Sequence, residues 1–429
     1  MSDKTAFVLG GGGSRGSYEM GVWKALRELG IDIHVVTGTS IGAVNGAMIA
    51  QGDYEKAIFL WNQIETAQVM DVPVNDEYPL KKKVWQTYQT FVLNFVKNGG
   101  TDTNPLRQTL GSFIDEERIR KSEIEYGLVT IDMDRNIPCE LFREDIPCGK
   151  LIDYIIASAS IYPAFKPHRI DDVRYLDGAY HDNLPVKMAL EKGACHIIAV
   201  DLEAFGVVKK EALALAKRLT YIRCYWNLGP TLVFDHTVMQ RNIRLGYLDA
   251  LKSFQVYEGC AFTFMRGFGN SAAEQMGGYL PLRSLLEKGS AGFVLDQLYL
   301  RQLEKIFEEH GVLEPDEGTT ALVCAEVAGE VFGLSSETIY SYGIWQEQLQ
   351  RQVQEFLILE QEEKGELCFA DTLYESARSL ADRRSRAILA GRVIADTVRT
   401  QKEQPFPAGF SILPEAFLAG VYLAAGSFL

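Results

Sequence analysis

The sequence has no apolar run long enough to cross a membrane. Its longest mostly apolar stretch, Ala416 to Leu429, follows Pro414 and Glu415. It falls short of the roughly 20 residues a spanning helix needs and reads as a packed terminal helix. Cysteine is scarce and scattered: the seven are Cys139, Cys148, Cys195, Cys224, Cys260, Cys324 and Cys368, with no Cys-x-x-Cys. That pattern excludes a disulfide framework and a zinc site, and reduced thiols are expected. Positive charge is in deficit, 43 Lys and Arg against 57 Asp and Glu, for a formal net charge of −14. A nucleic-acid partner is therefore not expected, and general attraction to anionic membrane is not favoured, although a local basic patch would escape that average. No repeat of fixed period or low-complexity tract is present. The first residues, Met1 to Lys4, run straight into a strand with no secretory leader, so a cytoplasmic location is expected.

What is present is material for a large core: 429 residues, 47% hydrophobic and 23% charged, enough for two or three domains. The chain is organised around His34 to Gly42. Four residues, His34 to Thr37, are mostly β-formers. Gly38-Thr39-Ser40-Ile41-Gly42 follows, and then a small-residue apolar run to Ala50 that reads as a helix. Strand, Gly-x-Ser-x-Gly, helix is a sharp turn that holds a serine hydroxyl out at the end of a parallel sheet. Gly38 and Gly42 remove side chains where strand and helix come closest. Alone, the pentapeptide also fits an ordinary strand-to-helix turn.

Upstream, Thr5 to Leu9 makes a short buried strand, and Gly10 to Gly16 a glycine loop. A helical pattern carrying Tyr18, Met20, Val22, Trp23, Leu26 and Leu29 stops at Gly30. With the strand at 34–37 this forms a βαβ unit, hence a parallel, right-handed connection. The loop Gly11-Gly12-Gly13-Ser14-Arg15-Gly16 has two readings. It fits the dinucleotide fingerprint, but that fingerprint wants an acidic residue at the end of the second strand, and Asp32 lies before it. Alternatively, successive glycines point backbone N–H groups into one concavity, an oxyanion hole for a tetrahedral acyl intermediate. In a parallel βαβ pair this loop and Ser40 emerge at the same edge of the sheet.

A nucleophilic serine needs a base. Of the six histidines, His34 and His196 belong to expected strands, His168 to a short strand, and His236 and His310 lie in no recognisable catalytic loop. His181, shortly after Asp177-Gly178, is the tempting one. Asp177-Gly178 ends a strand and is by itself a common turn. A His-based triad and a Ser–Asp dyad both remain open at this level; a carboxylate can accept the serine proton if held close and shielded from water.

Elsewhere, residues 53–122 read as largely helical. Tyr54 to Thr66 fits an amphipathic helix. Lys81-Lys82-Lys83, then Trp85, Tyr88, Phe91, Val92, Leu93, Phe95, Val96 and Lys97, is either a core-packed helix with a solvated lysine start or an interfacial helix touching lipid. Strands are expected at Glu125 to Asp132 and Pro138 to Phe142, a helix at Leu151 to Ser160, and a hairpin at His168 to Leu176 around Asp171-Asp172. A helix at Pro185 to Glu191 and a buried strand at His196 to Val200 follow. From about residue 207 the chain turns helix-like: Lys209 to Thr220, then Gly278 to His310, Ser335 to Gln361, Asp371 to Lys402 and Pro414 to Leu429, with loops at Glu314 to Gly318 and Lys364-Gly365. The acidic run Glu360 to Glu363 reads as a solvated helix face.

Together the motifs resemble the patatin-like phospholipases. The glycine loop, Gly38-Thr39-Ser40-Ile41-Gly42, Asp177-Gly178-Ala179, the segment Ala157 to Ser160 with Pro163 to Pro167, and Asn183-Leu184-Pro185 match in order and spacing across residues 5–202. Asn242 to Asp249 is similar to a segment after the catalytic domain of bacterial-type members. The resemblance implies a three-layer α/β/α fold with a mostly parallel sheet, assigned to residues 1–206; the helix-like composition of 207–429 reads as a C-terminal all-α domain. It implies Ser40 as nucleophile and Asp177 as base, without histidine. It also implies an oxyanion hole at Gly11 to Gly13, Ser14, Arg15 and Gly16, with Arg15 in the family's basic position. The implied activity is hydrolysis of acyl esters of lipids, without metal or cofactor, with peripheral lipid contact as an accompaniment. The alternatives from other classes are a phosphate- or nucleotide-binding scaffold and a catalytically silent protein acting through its helical half.

Overall fold

The first strand, β1 (Lys4–Leu9), has Ala6, Phe7, Val8 and Leu9 all buried. Burial on both faces is the mark of a central strand in a sheet covered by helices on each side. The computed structural model describes residues 4–72, 77–280, 297–364, 382–400 and 413–429 and divides into two compact units, Met1–Ser253 and Phe254–Leu429.

In the first unit α1 (Ser17–Glu28) carries the chain from β1 to β2 (Val35–Thr39), and α2 (Ile41–Gln51) follows directly. Five helices come next: α3 (Tyr54–Gln63), α4 (Thr66–Val69), α5 (Leu80–Asn98), α6 (Asn104–Phe113) and α7 (Glu116–Arg120). The chain then returns to the sheet with β3 (Glu125–Asp132) and β4 (Ile137–Phe142), and α8 (Leu151–Ser158) leads to the hairpin β5 (His168–Ile170) and β6 (Val173–Asp177). α9 (Val186–Glu191), β7 (Ala194–Asp201), α10 (Lys210–Ala214), β8 (Arg218–Arg223) and α11 (His236–Ser253) complete the unit.

The strands run in the order β5-β6-β3-β2-β1-β7-β8, with β4 also pairing β3. The pairs β1–β2, β1–β7, β2–β3 and β7–β8 are parallel; β3–β4, β3–β6 and β5–β6 are antiparallel. Helices cover both faces. Val186, Met188 and Ala189 of α9 pack with Ala6, Val8 and Val35. On the opposite face α2 lies so close that a Cβ on Gly46 would meet Val36 and Tyr126. The expected α/β fold with a mostly parallel sheet is the observed one.

The boundary expected after residue 206 falls inside this unit, which runs to Ser253. The expected helix from Lys209 to Thr220 is short α10 followed by strand β8, which pairs along β7 from His196↔Arg218 to Asp201↔Arg223. Ala-Leu-Ala-Lys-Arg-Leu has helical propensity, and the pairing offered by the open edge of β7 overrides it. α11 belongs here because it crosses α1 at backbone distance. A Cβ on Gly21 would sit 1.9 Å from the Ile243 carbonyl, and one on Gly246 would sit 2.0 Å from that of Tyr18. The Tyr18 hydroxyl donates to Asp249 Oδ2 across the crossing (2.7 Å).

The described residues of the second unit are helical, with one correction: a parallel pair of two-residue strands, β9 (Thr263–Phe264) and β10 (Ile339–Tyr340). The helices are Phe268–Met276, Gln297–Glu309, Glu317–Phe332, Tyr342–Lys364, Arg383–Thr400 and Pro414–Ala425. Expected helical stretches at 281–296, 371–381 and 401–402, and Gly365 of the expected loop, lie outside the described residues, as do the side chains of Gln361 to Glu363. Helix Glu317–Phe332 was not expected; the anticipated loop at Glu314 to Gly318 holds its cap, Asp316, which accepts from the Thr319 amide (2.7 Å). The core of this unit gathers on Trp345, whose ring centroid lies 5.1 Å from Phe262 and 4.9 Å from both Phe264 and Tyr340.

Beside that core His310 is buried between Glu330 (3.2 Å) and Glu326 (3.8 Å). Burial alone would push its imidazole pKa down; the hydrogen bond it donates to Glu330 and the charge of Glu326 outweigh it and lift the pKa to about 9. A raised folded-state pKa contributes stability that is complete below about pH 6.5 and lost as pH rises through about 9. Thermal melts from pH 6 to 10 are expected to show the wild type losing that increment. His310→Gln should melt lower throughout, by the equivalent of a few kcal/mol near pH 6.5, and lack this segment of the pH dependence.

Candidate active site

One strand brings the two sequence-identified residues together. Along β3, Val129 pairs with Thr39 of β2 and the next residue, Thr130, pairs with Asp177 of β6. Thr39 and Asp177 thus occupy successive rungs on the same neighbour, and Ser40 leaves β2 immediately after Thr39. Ser40 has φ 56° and ψ −123°, a conformation costly for a side-chain-bearing residue and held only where the surroundings fix it. The surroundings are tight. A Cβ on Gly38 would sit 2.2 Å from the Gly42 carbonyl oxygen, and one on Gly42 would sit 2.5 Å from that of Leu9. The Ser40 amide donates to the hydroxyl of buried Ser158 (3.0 Å).

Asp177 is buried. Its Oδ1 accepts from the Ala179 amide (2.8 Å); its Oδ2 is buried without a partner that meets hydrogen-bond geometry. Burial pushes its pKa up to about 7, and the nearby Ser40 hydroxyl and the Ala179 amide offset only part of that rise. Gly178 is required by position: a Cβ there would lie 2.3 Å from the Val129 carbonyl oxygen.

The glycine loop lies against this pair. A Cβ on Gly11 would come 3.1 Å from Ser40 Cβ and 2.3 Å from Asn183 Oδ1. The Gly11 amide is taken by Asn183, at its carbonyl (3.2 Å) and its Oδ1 (3.1 Å), and Asn183 Nδ2 donates back to the Gly11 carbonyl (3.3 Å). The Ser14 amide donates to Thr231 O (2.8 Å) and the Arg15 amide to Gly12 O (3.2 Å). Gly12 and Gly13 keep amides with no acceptor among the described residues. Gly13 has φ +57° and its missing Cβ would strike the Thr231 carbonyl at 2.0 Å. Gly16 packs on Ile41, the first residue of α2. The Arg15 guanidinium turns to the carbonyls of Gly229, Leu202 and Glu203 and braces the loop from behind.

Beneath the loop, fully buried Glu19 has a pKa well above the ordinary carboxyl value because of burial. Asn45 Nδ2 donates to Glu19 Oε2 (2.7 Å) and to the Gly16 carbonyl (3.0 Å), and Trp61 Nε1 donates to Asn45 Oδ1 (3.0 Å). Ser158 and Asn183 lay within the stretches that carried the resemblance, but their bonds could not be read from it. Glu19 and Asn45 carried no motif; the one signal was a carboxyl and an amide set into otherwise apolar helix faces.

Ser40, Asp177, Asn183 and the loop open into a cavity of about 420 Å³ whose walls include Ile41, Val44, Leu60, Trp61, Leu106 and Phe234. None of the six histidines lines it. His181, next to the Asp-Gly turn, is instead held by Glu140 (3.1 Å) and Lys209 (2.8 Å). An apolar wall and an arginine committed to backbone carbonyls also suit the loop poorly to a nucleotide's phosphates.

Fold and site define the class first: a mostly parallel α/β domain presenting a serine on a sharp strand-to-helix turn, faced by a glycine loop and opening on an apolar cavity. Residues 7–190 match the family profile described as patatin-like phospholipase, and this stretch is a patatin-like phospholipase domain. "Patatin-like phospholipase domain-containing protein 7" of Rattus norvegicus is 29% identical over 203 residues, 46% of this chain and 13% of that protein. "Lysophospholipase nte1" of Aspergillus terreus is 29% identical over 202 residues, 46% of this chain and 12% of that protein. The chain thus matches only about an eighth of the length of these relatives. The solved structure of VipD from Legionella pneumophila covers 99% of this chain and 91% of its own at 12% identity and a TM-score of 0.38.

The glycine contacts rank two substitutions in one helix. Gly42→Ala sets a Cβ against two backbone oxygens, at 2.5 and 2.8 Å, whereas the nearest atom to a Cβ on Gly46 is a Tyr126 ring carbon at 3.2 Å. Chemical denaturation is expected to show Gly42→Ala destabilised by about 2 kcal/mol or more and Gly46→Ala by distinctly less.

Proposed function

We propose that this chain is a serine acyl hydrolase of lipid esters, with Ser40 as nucleophile and Asp177 as its base. The observation that carries the reading is the placement of Thr39, the residue directly before Ser40, and Asp177 on successive rungs of β3, with a carboxylate buried, half-satisfied and poised near neutral pH. A base whose pKa lies near the working pH can take a proton and return it. In the ionised form, Asp177 Oδ2 accepts the Ser40 proton as Oγ bonds to the ester carbonyl carbon. The carbonyl oxygen takes up the negative charge, and the Gly12 and Gly13 amides are the donors left to meet it. As the intermediate collapses the ester C–O bond breaks, and the departing alkoxide takes the proton from Asp177. Water then attacks the acyl-serine by the same proton route, releasing the carboxylic acid and restoring Ser40.

The cavity is the reason for choosing lipid esters. Its walls are largely apolar and its volume is in the range that buries a ligand-sized chain. The relatives described as a patatin-like phospholipase domain protein and a lysophospholipase support phospholipid or lysophospholipid as the substrate class.

Labelling with a fluorophosphonate probe, followed by mass mapping, should place the adduct on Ser40, and Ser40→Ala should lose both adduct and turnover. An adduct elsewhere, or lipid-ester hydrolysis retained by Ser40→Ala, would overturn the reading. Asp177→Asn should lower kcat by ~1000-fold or more, since members of one catalytic unit fail together. A folded-state pKa raised by burial means ionised Asp177 costs stability, so the Asn variant should melt no lower than wild type at pH 8. Because the base works only when ionised, kcat/KM on a soluble ester should rise with pH to a plateau, with its midpoint near 7.

A further inference from the structure

Helix α5 is oriented against the usual sense of a surface helix. Of its 19 residues only Lys83 and Thr87 are buried. Lys83 reaches inward to an ion pair with Asp235 (2.8 Å), their side chains 9% and 14% exposed. Facing water are Trp85 (59% exposed), Tyr88 (62%), Val92 (47%), Phe95 (41%) and Val96 (77%). At the helical period these five share one stripe about 100° wide. The polar side of the helix packs on the protein, and among the described residues its apolar side is left largely exposed, with Phe95 touching Tyr162 at one end.

Two observations say what covers it. The first is charge. Residues 80–98 contain four lysines and no acidic residue, in a chain of net charge −14. Lys81 and Lys82 stand exposed at one end of the stripe and Lys97 at the other. The second is continuity with the cavity. Phe95 meets Tyr162 edge-on with centroids 5.9 Å apart. The Tyr180 hydroxyl donates to the Tyr162 carbonyl, and Tyr180 meets Phe205 edge-on at 5.4 Å. Tyr162, Tyr180 and Phe205 all line the cavity, and Phe205 is 69% exposed, which places it at the rim. An aromatic path therefore joins the stripe to the opening.

We propose that this face of α5 docks on a phospholipid bilayer containing anionic lipid. Trp85, Tyr88, Phe95 and Val96 enter the headgroup–acyl boundary, and Lys81, Lys82 and Lys97 meet anionic headgroups. Aromatic side chains flanked by lysines are the chemistry that binds at this depth, where a ring is half in hydrocarbon and the ammonium stays in water. Docked in this way, the rim at Phe205 meets the surface that supplies the ester. The proposal rests on reading the cavity as an acyl-hydrolase site, and it identifies how that site reaches its substrate.

The test uses the full chain carrying Ser40→Ala, so that binding is read without turnover. It is sedimented with vesicles of phosphatidylcholine alone or of phosphatidylcholine mixed with phosphatidylglycerol. Binding is expected to the mixed vesicles, to weaken with added salt, and to fall about tenfold or more in Trp85→Ser/Tyr88→Ser/Val96→Ser and in Lys81→Glu/Lys82→Glu. None of these side chains lines the cavity. In an otherwise wild-type chain the same substitutions should spare hydrolysis of a water-soluble short-chain ester and depress hydrolysis of vesicle phospholipid. Absent binding to mixed vesicles, or binding unchanged by both sets of substitutions, would overturn the proposal. So would sedimentation velocity showing a dimer that Trp85→Glu converts to monomer, since the stripe would then cover a second copy. Loss of all ester hydrolysis with vesicle binding intact would count against the hydrolase reading alone.

Discussion

The register of β3 is the constraint on which the site depends. A single strand accepts β2 as far as Thr39↔Val129 and β6 from Thr130↔Asp177. Were β6 displaced by one residue, Asp177 would turn to the other face of the sheet, because side chains alternate along a strand. The register is fixed from several directions. The Thr130 hydroxyl donates to the Leu176 carbonyl (2.7 Å), the Asp177 amide to the Ser160 carbonyl (3.1 Å), and Gly178 lies directly on the Val129 carbonyl. The contacts that place the carboxylate therefore come from β3, from the segment after α8 and from the turn after β6.

The electrostatics follow from that placement. A carboxylate at a sheet's end could be hydrated; this one is enclosed, and one oxygen has only the serine nearby. The cost of ionising a buried carboxyl raises its pKa to about 7. The same economy governs the loop. Asn183, Thr231 and Gly12 take up the amides of Gly11, Ser14 and Arg15, and among the described residues two adjacent amides are left over. Arg15, the residue that looks most like a ligand-binding cation, spends its guanidinium on three carbonyls and holds the loop's shape.

Much of this was legible in the sequence, for a physical reason. Gly38, Gly42 and Gly178 stand where a Cβ would overlap backbone, so their spacing records the close approaches of the turn itself. The strand–loop–helix order around them gives a parallel sheet. What was not legible depends on long-range pairing. The sequence around Lys209 to Thr220 is helical by propensity, and β8 exists because β7 offers an edge. α11 joins the first unit through Gly21 and Gly246, whose partners are over two hundred residues apart in sequence. His181 looked like a base from its position beside Asp177, but Glu140 and Lys209 hold it elsewhere. The spacing of residues along the chain could not show which of two neighbours turns toward Ser40.

The helix α5 shows the same limit from the other side. Its composition allowed either a buried helix or an interfacial one, and only the direction of its two faces separates them. Burying Trp85, Tyr88 and Phe95 would have been the ordinary outcome of the hydrophobic effect. Instead the protein anchors the helix by Lys83 and Asp235, a pair that gains nothing from apolar contact, and leaves the apolar surface in water. An exposed apolar surface costs solubility unless it meets a counterpart, and contiguous patches of this kind mark sites of contact. On the proposed reading the apolar-walled cavity has the same need, since an acyl chain would leave one lipid environment to enter it. The aromatic path from Phe95 through Tyr162 to Phe205 joins the two surfaces, so an acyl chain leaving a docked bilayer would pass along side chains rather than through water.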